Sequence, residues 1–302
     1  MTLLMIGLGR MGLGLAETLR SHSKIFGFDP LELSRMRAGQ AGVKVCKSLT
    51  DLASQGNPGQ RIFWTMVPAR VVGSVLDELF PVMGAGDIIV EGGNSFYKDS
   101  IARADRLKEK GVDLLDVGVS GGIHGKEHGY CLMVGGEKRA YEKLIPYFEK
   151  VSQPNGVRYM GPSGSGHFVK MVHNAVEYGM LQVLGEGFEL LKAYDAPLNL
   201  KEIADVWNHG SVVRCWLLDL LGGAVSEALG LENTEVIGGG ETGIWAVKDS
   251  LERKVPTPAI STAVNERLSS QRETPFARQL ISLMRHSFGG HLPPKRERKA
   301  SL

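Results

Sequence analysis

The sequence predicts an α/β N-terminal domain with a doubly wound, mostly parallel sheet, followed by an all-α C-terminal domain. Three observations predict it. Strand-like apolar runs alternate with amphipathic helix-like stretches through the first half of the chain. A glycine-rich turn, Gly7-Leu8-Gly9-Arg10-Met11-Gly12, lies directly between the first run and the first stretch. After the loop Gly161-Pro162-Ser163-Gly164-Ser165-Gly166 the strand signals nearly vanish.

The strands follow from short apolar runs bounded by turn residues: Leu3 to Ile6, Lys24 to Phe28, Arg61 to Met66, Asp87 to Glu91, Asp113 to Val117 and Tyr130 to Val134. Amphipathic stretches at Gly12 to Arg20, Val71 to Val82 and Ser100 to Lys110 supply the crossovers that parallel strands require. Beyond the glycine loop, an almost unbroken helical pattern runs from His167 to Tyr194. At 1.5 Å per residue it makes a rod of roughly 42 Å. Further helical patterns follow at Lys201 to Asn208, Val212 to Leu221, Ser261 to Ser270 and Pro275 to Phe288. The expected domains are therefore 1–162 and 163–302, the second opening with the long helix near 167–194.

Composition narrows the functional classes. The chain has 302 residues, enough for two domains, and 35 basic against 33 acidic residues leave a formal charge of +2. So small an excess gives no electrostatic case for nucleic acid or an anionic membrane. The one basic run, Lys295 to Lys299, reads as a solvated tail. Cys46, Cys131 and Cys215 are odd in number and far apart, which fits reduced thiols in a cytoplasmic protein. The apolar start Leu3 to Ile6 turns at once to glycine, unlike a signal peptide. No apolar stretch approaches the roughly 20 residues of a membrane-spanning helix.

The turn Gly7 to Gly12 has the G-x-G-x-x-G spacing of a Rossmann-type dinucleotide site. Gly7 permits the tight turn, Gly9 lets the backbone approach a pyrophosphate, and Gly12 allows close helix–strand packing. The helix start aims free N–H groups at the phosphates. Asp29 closes the second strand, where a carboxylate accepts hydrogen bonds from adenosine hydroxyls and repels a 2′-phosphate. NAD is therefore expected over NADP, although Arg35 and Arg37 lie nearby. Met66, Val67 and Pro68 follow the third of these strands and should line the nicotinamide side.

The segment His167 to Tyr178 carries Lys170, His173, Asn174, Glu177 and Tyr178, at helical spacings of +3, +4, +7 and +8 from the lysine. One helical face holds all five. The plain alternative is a solvated face of an amphipathic helix. The chemical reading is sharper. Oxidising an alcohol needs a base for its proton, and a lysine serves if its pKa falls from about 10.4 to about 7–8. That shift is about 3–5 kcal/mol of bias against the ammonium form. Burial in a closed cleft is one source of such a bias. Glu177 supplies a second proton-transfer group.

These motifs resemble the decarboxylating 6-phosphogluconate dehydrogenases, in the shorter bacterial class, over nearly the whole chain. The resemblance extends to Glu91-Gly92-Gly93-Asn94-Ser95, with glutamate where aspartate is more usual, and to Val119-Ser120-Gly121-Gly122. It implies that Lys170 removes the proton from the carbon-3 hydroxyl and then, as ammonium, assists loss of carbon 1 as CO₂. Glu177 would protonate carbon 1 of the resulting enediol, giving ribulose 5-phosphate. Asn94, Ser120, Gly121, Gly122, His173 and Asn174 would hold the carboxylate and hydroxyls. Tyr178, Arg214, Arg285 and His291 would hold the phosphate end, where arginine suits bidentate bonding. Gly7 to Gly12, Asp29, Met66, Val67, Pro68 and Asn94 would bind the cofactor. No metal is needed, because the new ketone is the electron sink. The resemblance also implies a homodimer or a dimer of dimers.

One position departs from the family pattern. In Gly239-Gly240-Glu241-Thr242-Gly243-Ile244-Trp245, Gly240 stands where a phosphate-binding lysine is usual, and Lys248 is the nearest basic substitute. Two other readings stay open. A β-hydroxyacid dehydrogenase shares the glycine fingerprint, the Ser-Gly-Gly loop and the lysine–asparagine pair, but has no need of His173, the Glu177-Tyr178 pair or the arginine and histidine near the C-terminus. A non-catalytic NAD-binding regulator needs neither Lys170 nor Glu177.

Overall fold

The computed structural model describes residues 1–228 and 236–272. It divides into two compact units, parting between Asn174 and Ala175. The first unit is an eight-stranded sheet with helices on both faces. In chain order its elements begin β1 (Thr2–Ile6), α1 (Arg10–Leu19), β2 (Ile25–Phe28), α2 (Glu32–Gln40), β3 (Lys44–Val45) and α3 (Leu49–Ala53). They continue through β4 (Arg61–Thr65), α4 (Ala69–Leu79), β5 (Ile88–Glu91), α5 (Tyr97–Lys108) and β6 (Asp113–Ser120). The last are α6 (Gly125–His128), β7 (Tyr130–Gly136), α7 (Lys138–Val151) and β8 (Ser152–Gly161). The long helix α8 (Ser165–Lys192) begins in this unit.

The strand order is β3-β2-β1-β4-β5-β6-β7-β8, and only the β6–β7 pairing among these is antiparallel. The order reverses between β1 and β4, which opens a crevice beyond the carboxyl ends of those strands. Side chains alternate across the sheet because successive strand residues point to opposite faces. Leu3 and Met5 pack with Leu15 and Leu19 of α1 and Leu144 and Phe148 of α7. Leu4 and Ile6 pack on the other face with Leu52 of α3, Val72 and Leu76 of α4 and Leu107 of α5. At the opposite end of the strands from the crevice, Arg61 and Asp87 form a buried ion pair at 2.6 Å, and Arg61 also donates to the Ala53 carbonyl.

The expected α/β architecture is present, with additions. The strand β8 was not foreseen, because Pro154 and the polar residues around it hide an edge strand. The helix α7 was not foreseen either; Pro146 interrupts its pattern, yet Ala140, Leu144, Phe148 and Val151 recur at helical spacing and are buried.

The second unit is helical among the described residues. Beyond the rest of α8 it contains α9 (Leu200–Asn208), α10 (Trp216–Ala228), α11 (Glu241–Glu252) and α12 (Pro258–Ser270). Phe188, Ala204 and Leu218 form its core cluster. The helix expected over Val212 to Leu221 begins instead at Trp216. Gly210, at φ +91°, ends α9, and Ser211 folds a tight turn in which its hydroxyl accepts the Val213 N–H. The Asn208 side chain then accepts the Cys215 N–H just ahead of α10. The pattern at Pro275 to Phe288 and the run Lys295 to Lys299 lie outside the described residues. No helix among the described residues is long and apolar enough to cross a membrane.

Candidate active site

The glycine fingerprint forms the strand-to-helix turn between β1 and α1. Gly7 adopts φ +89°, and a Cβ there would meet the Met66 carbonyl oxygen at 2.5 Å. A Cβ at Gly12 would lie 2.0 Å from the Gly7 carbonyl oxygen. A Cβ at Gly9, by contrast, would meet nothing within 4 Å, so this backbone is open to a close approach. Gly9 also caps α1 without a side-chain bond, which leaves the helix-start N–H groups available to an anion. A cradle of this shape fits the pyrophosphate of a dinucleotide.

Asp29 lies at the end of β2 and is buried. Its carboxylate accepts the Leu8 N–H at 2.8 Å and the Leu31 N–H at 2.9 Å. It therefore ties the glycine turn to the β2–α2 turn. Leu8 itself points into the core, so its share in the site is this backbone bond. Arg35 donates to the Asp29 and Pro30 carbonyl oxygens, so its guanidinium is engaged with the backbone of the turn. Arg10 is exposed at the start of α1.

A cleft of about 340 Å³ runs along the carboxyl ends of the central strands. Gly9 to Gly12 form one wall; Met66, Val67 and Pro68 after β4 and Gly92, Gly93 and Asn94 after β5 continue it; Val119 of β6 and Lys170 of α8 complete it. Glu91, one residue before this wall, turns inward and accepts a hydrogen bond from Arg103 of α5 at 2.6 Å. Its place in the strand-end motif is thus one of support beneath the cleft.

Lys170 is 8% exposed. Its Nζ lies 3.3 Å from His173 Nδ1, which is also 3.1 Å from Asn174 Oδ1. His173 Nε2 lies 3.2 Å from Ser120 Oγ, and Asn174 Nδ2 donates to Asn94 Oδ1 at 3.5 Å. Ser120 ends β6, and Gly121 and Gly122 turn the chain there with φ of +119° and +54°. Lys170, His173, Asn174, Ser120 and Asn94, from three separate segments of the sequence, are thus joined in one hydrogen-bonded group beside the glycine fingerprint.

Glu177 and Tyr178 follow on α8 in the second unit, both half-buried. There the ring of Tyr178 packs where a Cβ on Gly243 would come within 2.7 Å of it. The Arg267 guanidinium of α12 stacks over the same ring, 3.7 Å from its centroid. Gly240 caps α11 with no side-chain bond, and the position of its absent Cβ is 3.9 Å from Arg267 Cδ. Thr242 is buried in the first turn of that helix. Sequence reasoning missed Arg267, because its proximity to Tyr178 and Gly240 arises only when α12 packs on α11 and α8. Lys248 is exposed, six residues past Thr242 along α11. Arg214 is exposed in the turn ahead of α10, and no described contact joins it to Tyr178. Arg285 and His291 lie outside the described residues.

Residues 2–161 match the family model for the NAD binding domain of 6-phosphogluconate dehydrogenase, and residues 166–287 match that for its C-terminal domain. An NAD(+)-dependent, decarboxylating 6-phosphogluconate dehydrogenase of Haloferax volcanii is 41% identical over 297 residues, covering 96% of this chain and 98% of that one. A protein of the same description from Bacillus subtilis is 35% identical over 76% of this chain, and the match covers 52% of that longer protein. The solved structure of Plasmodium falciparum 6-phosphogluconate dehydrogenase superposes with a TM-score of 0.80 at 28% identity, covering 98% of this chain and 67% of that one. A 3-hydroxyisobutyrate dehydrogenase of Salmonella typhimurium shares the fold, with a TM-score of 0.75 at 21% identity. With both halves matched in order and near-complete relatives on either side of 40% identity, this chain belongs to the 6-phosphogluconate dehydrogenase family.

Proposed function

We propose that this chain is an NAD-dependent, decarboxylating 6-phosphogluconate dehydrogenase that releases CO₂ and ribulose 5-phosphate. The observation that carries the reading is Lys170, buried at the wall of the fingerprint cleft and joined there to His173, Asn174, Ser120 and Asn94. The domain limits 1–162 and 163–302 are taken with it, and the family-model matches over 2–161 and 166–287 support them.

NAD held by the glycine turn and the wall after β4 would supply the hydride acceptor for carbon 3 of the substrate. Lys170, as the neutral amine, takes the proton of the carbon-3 hydroxyl. The ammonium so formed donates to the new carbonyl oxygen, which gathers negative charge as the bond to carbon 1 breaks and CO₂ leaves. Glu177 then delivers a proton to carbon 1 of the enediol while Lys170, neutral again, takes back the hydroxyl proton at carbon 2, and the ketone of ribulose 5-phosphate forms. Asn94, Ser120, His173 and Asn174 hold the carboxylate and hydroxyls, with the turn at Gly121 and Gly122 closing on them. Gly7 to Gly12, Asp29 and Met66 to Pro68 hold the cofactor. Asp29 and an Arg35 committed to backbone carbonyls disfavour a 2′-phosphate, hence NAD over NADP.

Tyr178, Thr242 and the start of α11 receive the substrate phosphate. Arg267 supplies the cation that Gly240 cannot, and Arg214, Arg285 and His291 remain further phosphate-end residues of the reading. The enzyme acts as a homodimer or dimer of dimers in the cytoplasm, where its unpaired Cys46, Cys131 and Cys215 stay reduced.

The test mixes purified protein with 6-phosphogluconate and NAD, follows absorbance at 340 nm and traps CO₂. NADH and CO₂ in equal amounts are expected. NADH without CO₂ would favour a β-hydroxyacid dehydrogenase, and neither product from folded protein would favour a regulator.

A further inference from the structure

Asp116 is fully buried on β6, outside the cleft. Its Oδ1 accepts the Gly164 N–H at 2.7 Å and its Oδ2 accepts the His167 N–H at 2.9 Å. Gly164 precedes the first residue of α8, and His167 is the third residue of that helix. These are donors that a helix start leaves without intrahelical partners. Ordinarily the capping residue's own side chain satisfies such a donor. Gly164 has none, and a carboxylate from a distant strand takes its place.

A buried carboxylate is costly unless hydrogen-bonded. Burial pushes the Asp116 carboxyl up, and the His167 imidazole and the backbone N–H groups oppose that shift. An ionisable group kept in so unfavourable a place calls for a reason beyond helix capping, which an exposed serine at the helix start would achieve.

The register between β6 and α8 supplies the reason. Residues 116, 118 and 120 share one face of the strand. Asp116 meets the helix at Gly164 and His167. At Gly118 a Cβ would lie 2.4 Å from Lys170 Cβ and 3.0 Å from the Gly166 carbonyl oxygen. Ser120 Oγ meets His173 Nε2 at 3.2 Å. Successive contacts thus advance two residues along the strand and three along the helix, and both contacts downstream of Asp116 are with residues assigned to the chemistry.

We infer that Asp116 is a positioning residue: its carboxylate pins the start of α8 to β6 and so fixes where Lys170 and His173 stand in the cleft. The inference rests on the proposed role of Lys170. A displacement of the order of 1 Å of a reacting group costs about 100-fold in rate. Asn at 116 keeps one accepting oxygen of the two, and Ala keeps neither.

The experiment measures kcat, KM for 6-phosphogluconate, NADH affinity by fluorescence and amide exchange in Asp116→Asn and Asp116→Ala, beside Lys170→Met. The expected result is a kcat lowered about 10- to 100-fold in Asn and further in Ala. NADH affinity should stay within about twofold, because the glycine cradle and Asp29 are untouched. The amides of Gly164 and His167 should lose protection. If the Ala variant does not fold, Asp116→Asn carries the test by itself, its kcat loss read against unchanged NADH affinity and the lost amide protection. A kcat for Asp116→Asn within twofold of wild type, with Lys170→Met inactive, overturns the positioning role alone. A near-normal rate in Lys170→Met overturns the catalytic reading and the positioning role with it.

Discussion

A lysine acts as a base only where its ammonium form is poorly solvated before the reaction and well used after it. Lys170, the proposed base, is buried at the cleft wall with an imidazole nitrogen 3.3 Å from its Nζ. Lys170→Met should lower kcat by at least about 100-fold while NADH still binds, the size expected for losing a general base. Glu177→Gln should keep hydride transfer and slow the final protonation. Rapid-quench analysis would then find CO₂ and NADH formed ahead of ribulose 5-phosphate; simultaneous appearance of all three would remove Glu177 from that role. Arg267→Ala should raise KM for 6-phosphogluconate about 10-fold or more with a smaller effect on kcat, as loss of a charge-assisted bond to phosphate predicts. An unchanged KM would show that the phosphate binds elsewhere. At this scale the sequence was legible wherever partners are close along the chain. The fingerprint and the run from Lys170 to Tyr178 are local spacings. Arg267 was not legible, because its relation to Tyr178 spans 89 positions and depends on the packing of helices.

Among the elements, α8 joins the most functions, and its start is governed from β6. The Asp116 carboxyl titrates above its ordinary value of 3.8, chiefly through burial. Between that value and its raised one, the folded protein holds a proton that the unfolded chain has released, so this group's contribution to stability falls as pH rises. An asparagine does not titrate. The melting temperature of Asp116→Asn relative to wild type should therefore climb as pH rises from near 3.8, then level off above the raised value. Thermal melts across a pH series would check this, and a flat or opposite trend would contradict it. Helices with clean apolar spacing were legible in sequence, as α1, α4, α5, α9 and α12 show. The helix α11 is hidden in the sequence, because its glycine-rich start masks the turns that follow. Strands β3 and β8 escaped because edge strands are half-solvated and lack a continuous apolar run.

Over the whole molecule, chain order alone carried the architecture: alternating strands and helices, then helices, became a doubly wound sheet followed by a helical unit. What sequence order did not reveal is how far the supports of the sheet lie from its chemistry. The Arg61–Asp87 pair closes the amino ends of β4 and β5, while the cleft occupies the carboxyl ends of the same strands. Asp87 also accepts the half-buried Gly59 and Gly84 N–H groups, so its removal strands these as well as the buried Arg61 donors. Asp87→Ala should cost about 3–5 kcal/mol of stability, the range for breaking a buried ion pair. Measured by urea unfolding, that loss should accompany a kcat close to wild type at a temperature where the variant remains folded. A kcat that fell in step with stability would mean that the two ends of the sheet are not independent.

The glycine cradle has a practical corollary for anyone wishing to redirect this enzyme to another electron carrier. With Gly12 against Gly7 and Gly7 against Met66, those two positions admit no added atoms, and each forbids repair at the other. Redesign has to be written along the rim at Leu31 and Glu32, exposed beside Asp29, where new side chains have room and the phosphate seat is left alone.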